Sequence, residues 1–157
     1  MSTSNTKQAR VPPRWFERLA WSTHRGVYRL SRGRLGLWRP KPDGWGAMHL
    51  TTIGRRSGLE RSVIVGYFVD GPHLVTMAMN GWGDGEPAWW LNLQAHPEAH
   101  VELRDGPLDV TTRAAEGEER ARLWERWASI DENLDAYAAR RSTETAVVVL
   151  TPVTTGD

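Results

Sequence analysis

The sequence predicts an α+β, mainly β domain: about six mostly antiparallel strands forming a barrel or sheet, with an N-terminal helix and peripheral helices. Short β-branched and apolar runs recur along the chain, separated by Gly, Pro and Asp. Two pairs of these runs are joined by turns of the Asp-Gly type, "VDGP" and "RDGP". Helical spacing is confined to a few separate stretches, and only one strand-to-strand connection reads as long. A doubly wound parallel sheet would need a crossover after every strand.

The elements follow in order. Residues 1–12 are polar and read as a disordered tail, and residues 13–157 as a single domain. "PRWFERLAWSTHRGVYRLSRGRL", from Pro13, has helical spacing through Trp15 or Phe16, Leu19, Ala20, Thr23 and Val27. Gly33, Gly36, Pro40 and Pro42 end it. "AMHLTTIG" reads as a strand stopped by Gly54, and "RSVIVGYFVDG" with "PHLVTMAM" as a hairpin closed at Asp70-Gly71. "NGWGDGEP" is a glycine-rich loop, and "AWWLNLQAH" a short helix starting beside Pro87. "HVELRDGPLDVTTRAA" is a second hairpin. "EGEERARLWERWASI" is an amphipathic helix with Ala121, Leu123, Trp124 and Trp127 on its apolar side. A shorter helix falls within 131–140, and "TAVVVLTPV" is a buried final strand.

Composition narrows the chemistry. With 157 residues the chain is long enough to bury a real core. It has no cysteine, which excludes disulfides, thiolate catalysis and cysteine-ligated metal. No apolar run approaches the roughly 20 residues of a membrane span, and the N-terminus has no signal-peptide core, so the expected location is cytoplasmic. The net charge of +1 conceals an asymmetry. Residues 1–41 hold ten Lys/Arg against Glu17 alone, a balance of +9, and residues 42–157 hold ten against eighteen acidic residues, a balance of −8. The basic arm allows peripheral contact with an anionic membrane; a nucleic-acid partner is not expected.

Two stretches carry the candidate site. In "GRRSGLER", Gly54 and Gly58 permit backbone geometries in which amides converge on an anion. Arg55, Arg56 and Arg61 add forked donors suited to phosphate or carboxylate. The spacing is not that of a Walker loop. A plain hairpin turn with solvated arginines fits the same residues about equally well. In "NGWGDGEPAWWLNL", glycines expose backbone while Trp82, Trp89 and Trp90 offer flat apolar surface and Asn92 a donor and an acceptor. Such a segment suits a planar heteroaromatic ligand; alternatively, Trp89 and Trp90 cap the barrel core. His96 and His100 flank Pro97 without a third ligand, so no metal site is expected.

Together, "TTIGRRSG", Arg61, "PAWWLNLQAHP", "EERARLWERW" and "VVVLTP" resemble the deazaflavin-dependent nitroreductase family, whose members use coenzyme F420. The resemblance spans residues 47–153. It implies a split β-barrel and an oxidoreductase that passes a hydride between the deazaflavin and a small conjugated or nitro-bearing organic substrate. The cofactor's phosphodiester and glutamate tail would lie on Arg55, Arg56, Ser57, Gly58 and Arg61. The backbone around Met77, Ala78, Met79 and Asn80, with Trp89, Trp90 and Asn92, would frame the ring. Tyr137 resembles a substrate-pocket tyrosine and is the candidate proton donor. Departures are Ile64 for a proline, Met79 for a serine, Asn80 for a lysine, Glu86 for a histidine and Trp90 for a tyrosine. Met79 and Trp90 are expected to narrow the pocket above the ring. Alternatives are an FMN enzyme on the same barrel and an F420 carrier without turnover. Barrels of this kind pair to complete a pocket, which allows a homodimer.

Overall fold

The computed structural model describes residues 37–42, 44–79 and 85–153. The expected N-terminal tail and helix, and Asn80 with the glycine-rich segment after it, lie outside the described residues.

Six strands close into an antiparallel barrel: β1 (Gly46–Ile53), β2 (Glu60–Asp70), β3 (His73–Met77), β4 (Glu98–Leu103), β5 (Gly106–Ala114) and β6 (Val147–Pro152). Around the barrel the order is β1-β2-β3-β6-β5-β4, and β4 pairs back onto β1. Both predicted hairpins are present, β2–β3 and β4–β5. Gly71, at φ 58, turns the first of them.

The helices sit in the connections. Helix α1 (Ala88–Ala95) joins β3 to β4, while α2 (Gly117–Ile130) and α3 (Leu134–Ala138) join β5 to β6. There are thus two long connections, not the single one expected. Each was read as a helix in the sequence, but its role as a crossover depends on which strands pair, which local periodicity does not reveal. Among the described residues no helix is long and apolar enough to cross a membrane.

Period-two alternation sorts the strand residues into two clusters. Met48, Leu50, Val65, Tyr67, Leu74, Val101, Val110, Val148 and Leu150 fill the barrel, joined by Trp89, Trp90 and Leu93 of α1. Val75, Met77, Val147 and Val149 face outward, where Leu123 and Trp127 of α2 and Leu134 of α3 cover them. Both faces of β6 are therefore buried, which explains its unbroken apolar run. Leu123 and Trp127, four apart, share the covered face of α2. Ala121 is exposed, contrary to expectation, because a residue two positions from Leu123 points about 200° around the helix. Trp124 is half-buried; its indole N–H bonds Asp135 at 2.7 Å and its ring lies under the Arg120 guanidinium.

Candidate functional site

The turn between β1 and β2 stands at one mouth of the barrel. Strand pairing runs to Thr52↔Arg61 and Ile53↔Glu60, leaving residues 54–59 to reverse the chain. Gly54 N–H donates to Leu59 O and Gly58 N–H to Gly54 O, each at 2.8 Å, and Leu59 N–H donates to Ser57 Oγ at 3.2 Å. Gly58 has φ 70, a left-handed conformation that suits glycine. At Gly54 a Cβ would stand 2.6 Å from Ser57 Oγ. The glycines therefore serve the closure of the turn.

That closure corrects one expectation. The amides of Gly54, Gly58 and Leu59 are used inside the turn, and that of Arg55 is used by α1, so they do not converge on an outside anion.

Arg55 is fastened from below. Asn92 Oδ1 accepts from Arg55 N–H at 3.1 Å and from Arg55 Nη1 at 3.2 Å, while Asn92 Nδ2 donates to Thr52 Oγ1 at 3.1 Å. Asn92 is 4% exposed and Thr52 1%, so the bonds joining α1 to β1 are shielded from water. Arg61 is the cross-strand partner of Thr52, and such partners share a face of the sheet. Arg56 occupies the exposed turn between them.

The electrostatics separate this turn from the rest of the surface. Arg39, Arg113, Arg120, Arg122, Arg126 and Arg141 each face a carboxylate. Asp105 and Glu119 are held below the usual carboxylate range, first by hydrogen bonds from Arg39 and Arg113. Among the described residues, Arg55, Arg56 and Arg61 have no ion pair. Three uncompensated guanidinium groups at one end of the β1–β2 hairpin favour an anion among them.

β1 ends and β2 begins at this mouth, so β3, antiparallel to β2, runs back toward it. Its last residues are the predicted ring wall. The side chains of Met77 and Ala78 are fully buried, at 1% and 0% exposure, which leaves only their backbone for a ligand. Met79 is half-buried and packs against the cluster under α2. Trp89 and Trp90 are 8% and 7% exposed, with ring centroids 6.4 Å apart in an edge arrangement. They close the barrel core, as the alternative reading had it, and do not present a broad flat surface. Tyr137 is half-buried on α3. The structure also brings in Arg141, which no motif in the sequence singled out. Its buried guanidinium donates to Ala78 O at 3.2 Å and to Gly85 O at 2.9 Å.

A closed antiparallel six-stranded barrel with a helix at its mouth is the architecture of the flavin- and deazaflavin-binding split barrels. The profile of the F420H(2)-dependent quinone reductase family matches residues 21–152, and the chain belongs to that family. An F420H(2)-dependent quinone reductase of Mycobacterium tuberculosis is 28% identical over 148 residues, covering 88% of this chain and 96% of the relative. A solved F420-H2 dependent reductase superposes with a TM-score of 0.60 at 27% identity, over 66% of this chain and 92% of that one. A solved protein described as a domain-swapped dimer has the same fold, with a TM-score of 0.62 at 24% identity over 85% and 98% of the two chains. The expected deazaflavin oxidoreductase is borne out: the protein is an oxidoreductase whose cofactor is coenzyme F420. The arginines without ion pairs at this end of the β1–β2 hairpin fit that cofactor, whose phosphodiester and glutamate tail form a linear anion.

Proposed function

We propose that this oxidoreductase reduces quinones, or closely related conjugated acceptors, with the hydride carried by reduced coenzyme F420. One observation supports the site: Arg55 and Arg56 on the β1–β2 turn and Arg61 at the start of β2 have no carboxylate partners, in a protein whose other described arginines are mostly paired. The names of the relatives support the substrate class.

When bound, the deazaflavin supplies a hydride and the acceptor must also gain a proton. The work of the chain is to bind, orient and exclude water. Arg56 and Arg61, with Arg55 held in place by Asn92, bind the phosphodiester and the start of the glutamate tail. Ser57 already accepts from Leu59 N–H and keeps its hydroxyl hydrogen for a phosphate oxygen. The backbone edge of Met77 to Met79, with the residues that open α1, lines the ring. The buried indoles of Trp89 and Trp90 keep water out beneath it. Tyr137 is the proposed proton donor to the acceptor. The excess of cations over residues 1–41 supports a cytoplasmic enzyme that meets lipid-soluble quinones at an anionic membrane surface.

The test is anaerobic turnover of F420H2 with a naphthoquinone, a nitroaromatic and no acceptor, with reduced FMN as a parallel donor. Saturable quinone-dependent oxidation of F420H2, faster than with the nitro compound, is expected. F420 binding without turnover would leave a carrier. Activity with FMN alone would overturn the cofactor site.

A further inference from the structure

Ala78 directly follows β3 and Gly85 lies just before α1, and one side chain holds both points. Arg141, with a side chain 0% exposed, donates from Nη1 to Ala78 O at 3.2 Å and to Thr145 Oγ1 at 2.6 Å, and from Nη2 to Gly85 O at 2.9 Å. Nη2 also lies 3.7 Å from Glu86 Oε1, while Glu86 Oε2 is buried without a hydrogen-bond partner. Thr145 is held from its other side: Arg120 of α2 donates from Nη1 to Thr145 O at 2.8 Å, and its Nε lies 2.7 Å from Glu144 Oε1. A polar path thus runs from α2 through Thr145 and Arg141 to both ends of the segment between β3 and α1.

A buried guanidinium is costly to desolvate, and an aliphatic side chain would fill the same space more cheaply. Its planar fork does what neither an aliphatic chain nor an ammonium can. It donates in fixed, divergent directions to two backbone carbonyls seven residues apart in sequence. Ala78 N–H donates to Ala146 O at 2.9 Å, but neither carbonyl lies within a named strand or helix, and Arg141 is the side chain that ties the two carbonyls to each other.

We infer that Arg141 is a positioning residue for the cofactor site. It locks the backbone at Ala78 and Gly85, so that the end of β3 and the start of α1 present a fixed wall to the deazaflavin ring. Glu86 supplies the neighbouring counter-charge. The inference rests on the assignment of that wall to the ring.

The test uses the full chain carrying Arg141→Lys and, separately, Thr145→Val, which removes only the hydroxyl that steadies the guanidinium. Hydrogen exchange is followed at residues 77–79 and 85–87 and in β1 and β4, alongside F420 affinity and the kcat and KM for F420H2. Arg141→Lys should speed exchange at the two tethered points by about ten-fold while β1 and β4 keep their protection. The F420 Kd should rise by roughly five-fold or more, as expected for loss of a charged hydrogen bond behind the wall. Thr145→Val should move both readings the same way by less, and it carries the test alone if Arg141→Lys does not fold. Unchanged exchange at 77–79 and 85–87 in a folded variant would overturn the tether. Faster exchange with unchanged F420 affinity would leave a structural tether, remove the ring from this wall, and overturn the positioning role.

Discussion

Asn92 Oδ1 accepts from both the backbone amide and the guanidinium of Arg55, at 3.1 and 3.2 Å, while its amide donates to Thr52. One buried carboxamide therefore joins α1, β1 and the turn that carries Arg55 and Arg56. Removing it should affect fold and binding together. Asn92→Ala strands the Thr52 hydroxyl in the interior, at a cost of about 1–3 kcal/mol, and frees Arg55. Asn92→Asp keeps the acceptor but sets a negative charge against Arg55, so affinity should fall by a larger factor than the unfolding midpoint shifts. Thermal unfolding and F420 titration of the two variants decide this. Equal F420 affinity in Asn92→Asp and the wild type would remove Arg55 from the anion site.

Arg56 and Arg61 differ from Arg55 in having no side-chain hydrogen bond or ion pair among the described residues. Their truncation should be nearly silent in stability, within about 0.5 kcal/mol. Each should weaken F420 roughly ten-fold, with the difference shrinking as salt screens the anion. The control is Arg113→Ala, whose guanidinium is committed to Glu119; it should leave F420 affinity and its salt dependence unchanged. An arginine truncation at the turn that costs stability and spares binding would make this a structural hairpin.

The glycines of the turn make separable demands. Gly58 has φ 70 and open space around a would-be Cβ, so Gly58→Ala carries only the conformational penalty of about 1 kcal/mol. Gly54 has no positive φ, but its Cβ would meet Ser57 Oγ at 2.6 Å and Leu59 O at 3.2 Å. Gly54→Ala should cost more. Adding Ser57→Ala should recover part of that loss, because the nearest clashing atom is gone. A double-mutant cycle on denaturation free energies measures the recovery, and strict additivity of the two changes would refute the clash.

The barrel was legible because its signals are local: β-branched alternation, Asp-Gly turns, and glycines where the backbone must reverse. The cationic turn was legible for the same reason. Its amides were misassigned because the partners of Arg55 N–H and Leu59 N–H are side chains, Asn92 of α1 and Ser57 of the turn itself. Trp89 and Trp90 read equally well as ligand surface or core, since an indole has one composition for both uses; only closure of the barrel beneath α1 separates them. Arg141 carried no signal. In "AYAARRSTET" it is one of two adjacent arginines in a polar stretch, and its burial arises from the return of β6 beside β3.

Asp70, at the end of β2, accepts from Arg122 Nη1 and Nη2 of α2 at 2.8 and 2.9 Å, with Arg126 at 3.7 Å. The Arg122 hydrogen bonds hold its carboxyl below the ordinary 3.8, against the opposing effect of burial. A carboxyl whose pKa is lower in the folded chain leaves the unfolded chain holding more protons between the two values. Stability is then fully present above 3.8 and is lost as the pH falls through the folded-state value. Solvent around the half-exposed Arg122 keeps the effect modest. Asp70→Asn should therefore be less stable than the wild type near neutral pH, and the gap should close as the pH falls below 3.8 through the folded-state value, where Asp70 itself becomes neutral. Urea denaturation across that range gives the answer. A gap that stays constant at every pH would mean that Arg122 and Asp70 touch through packing alone, with no coupling of charge between β2 and α2.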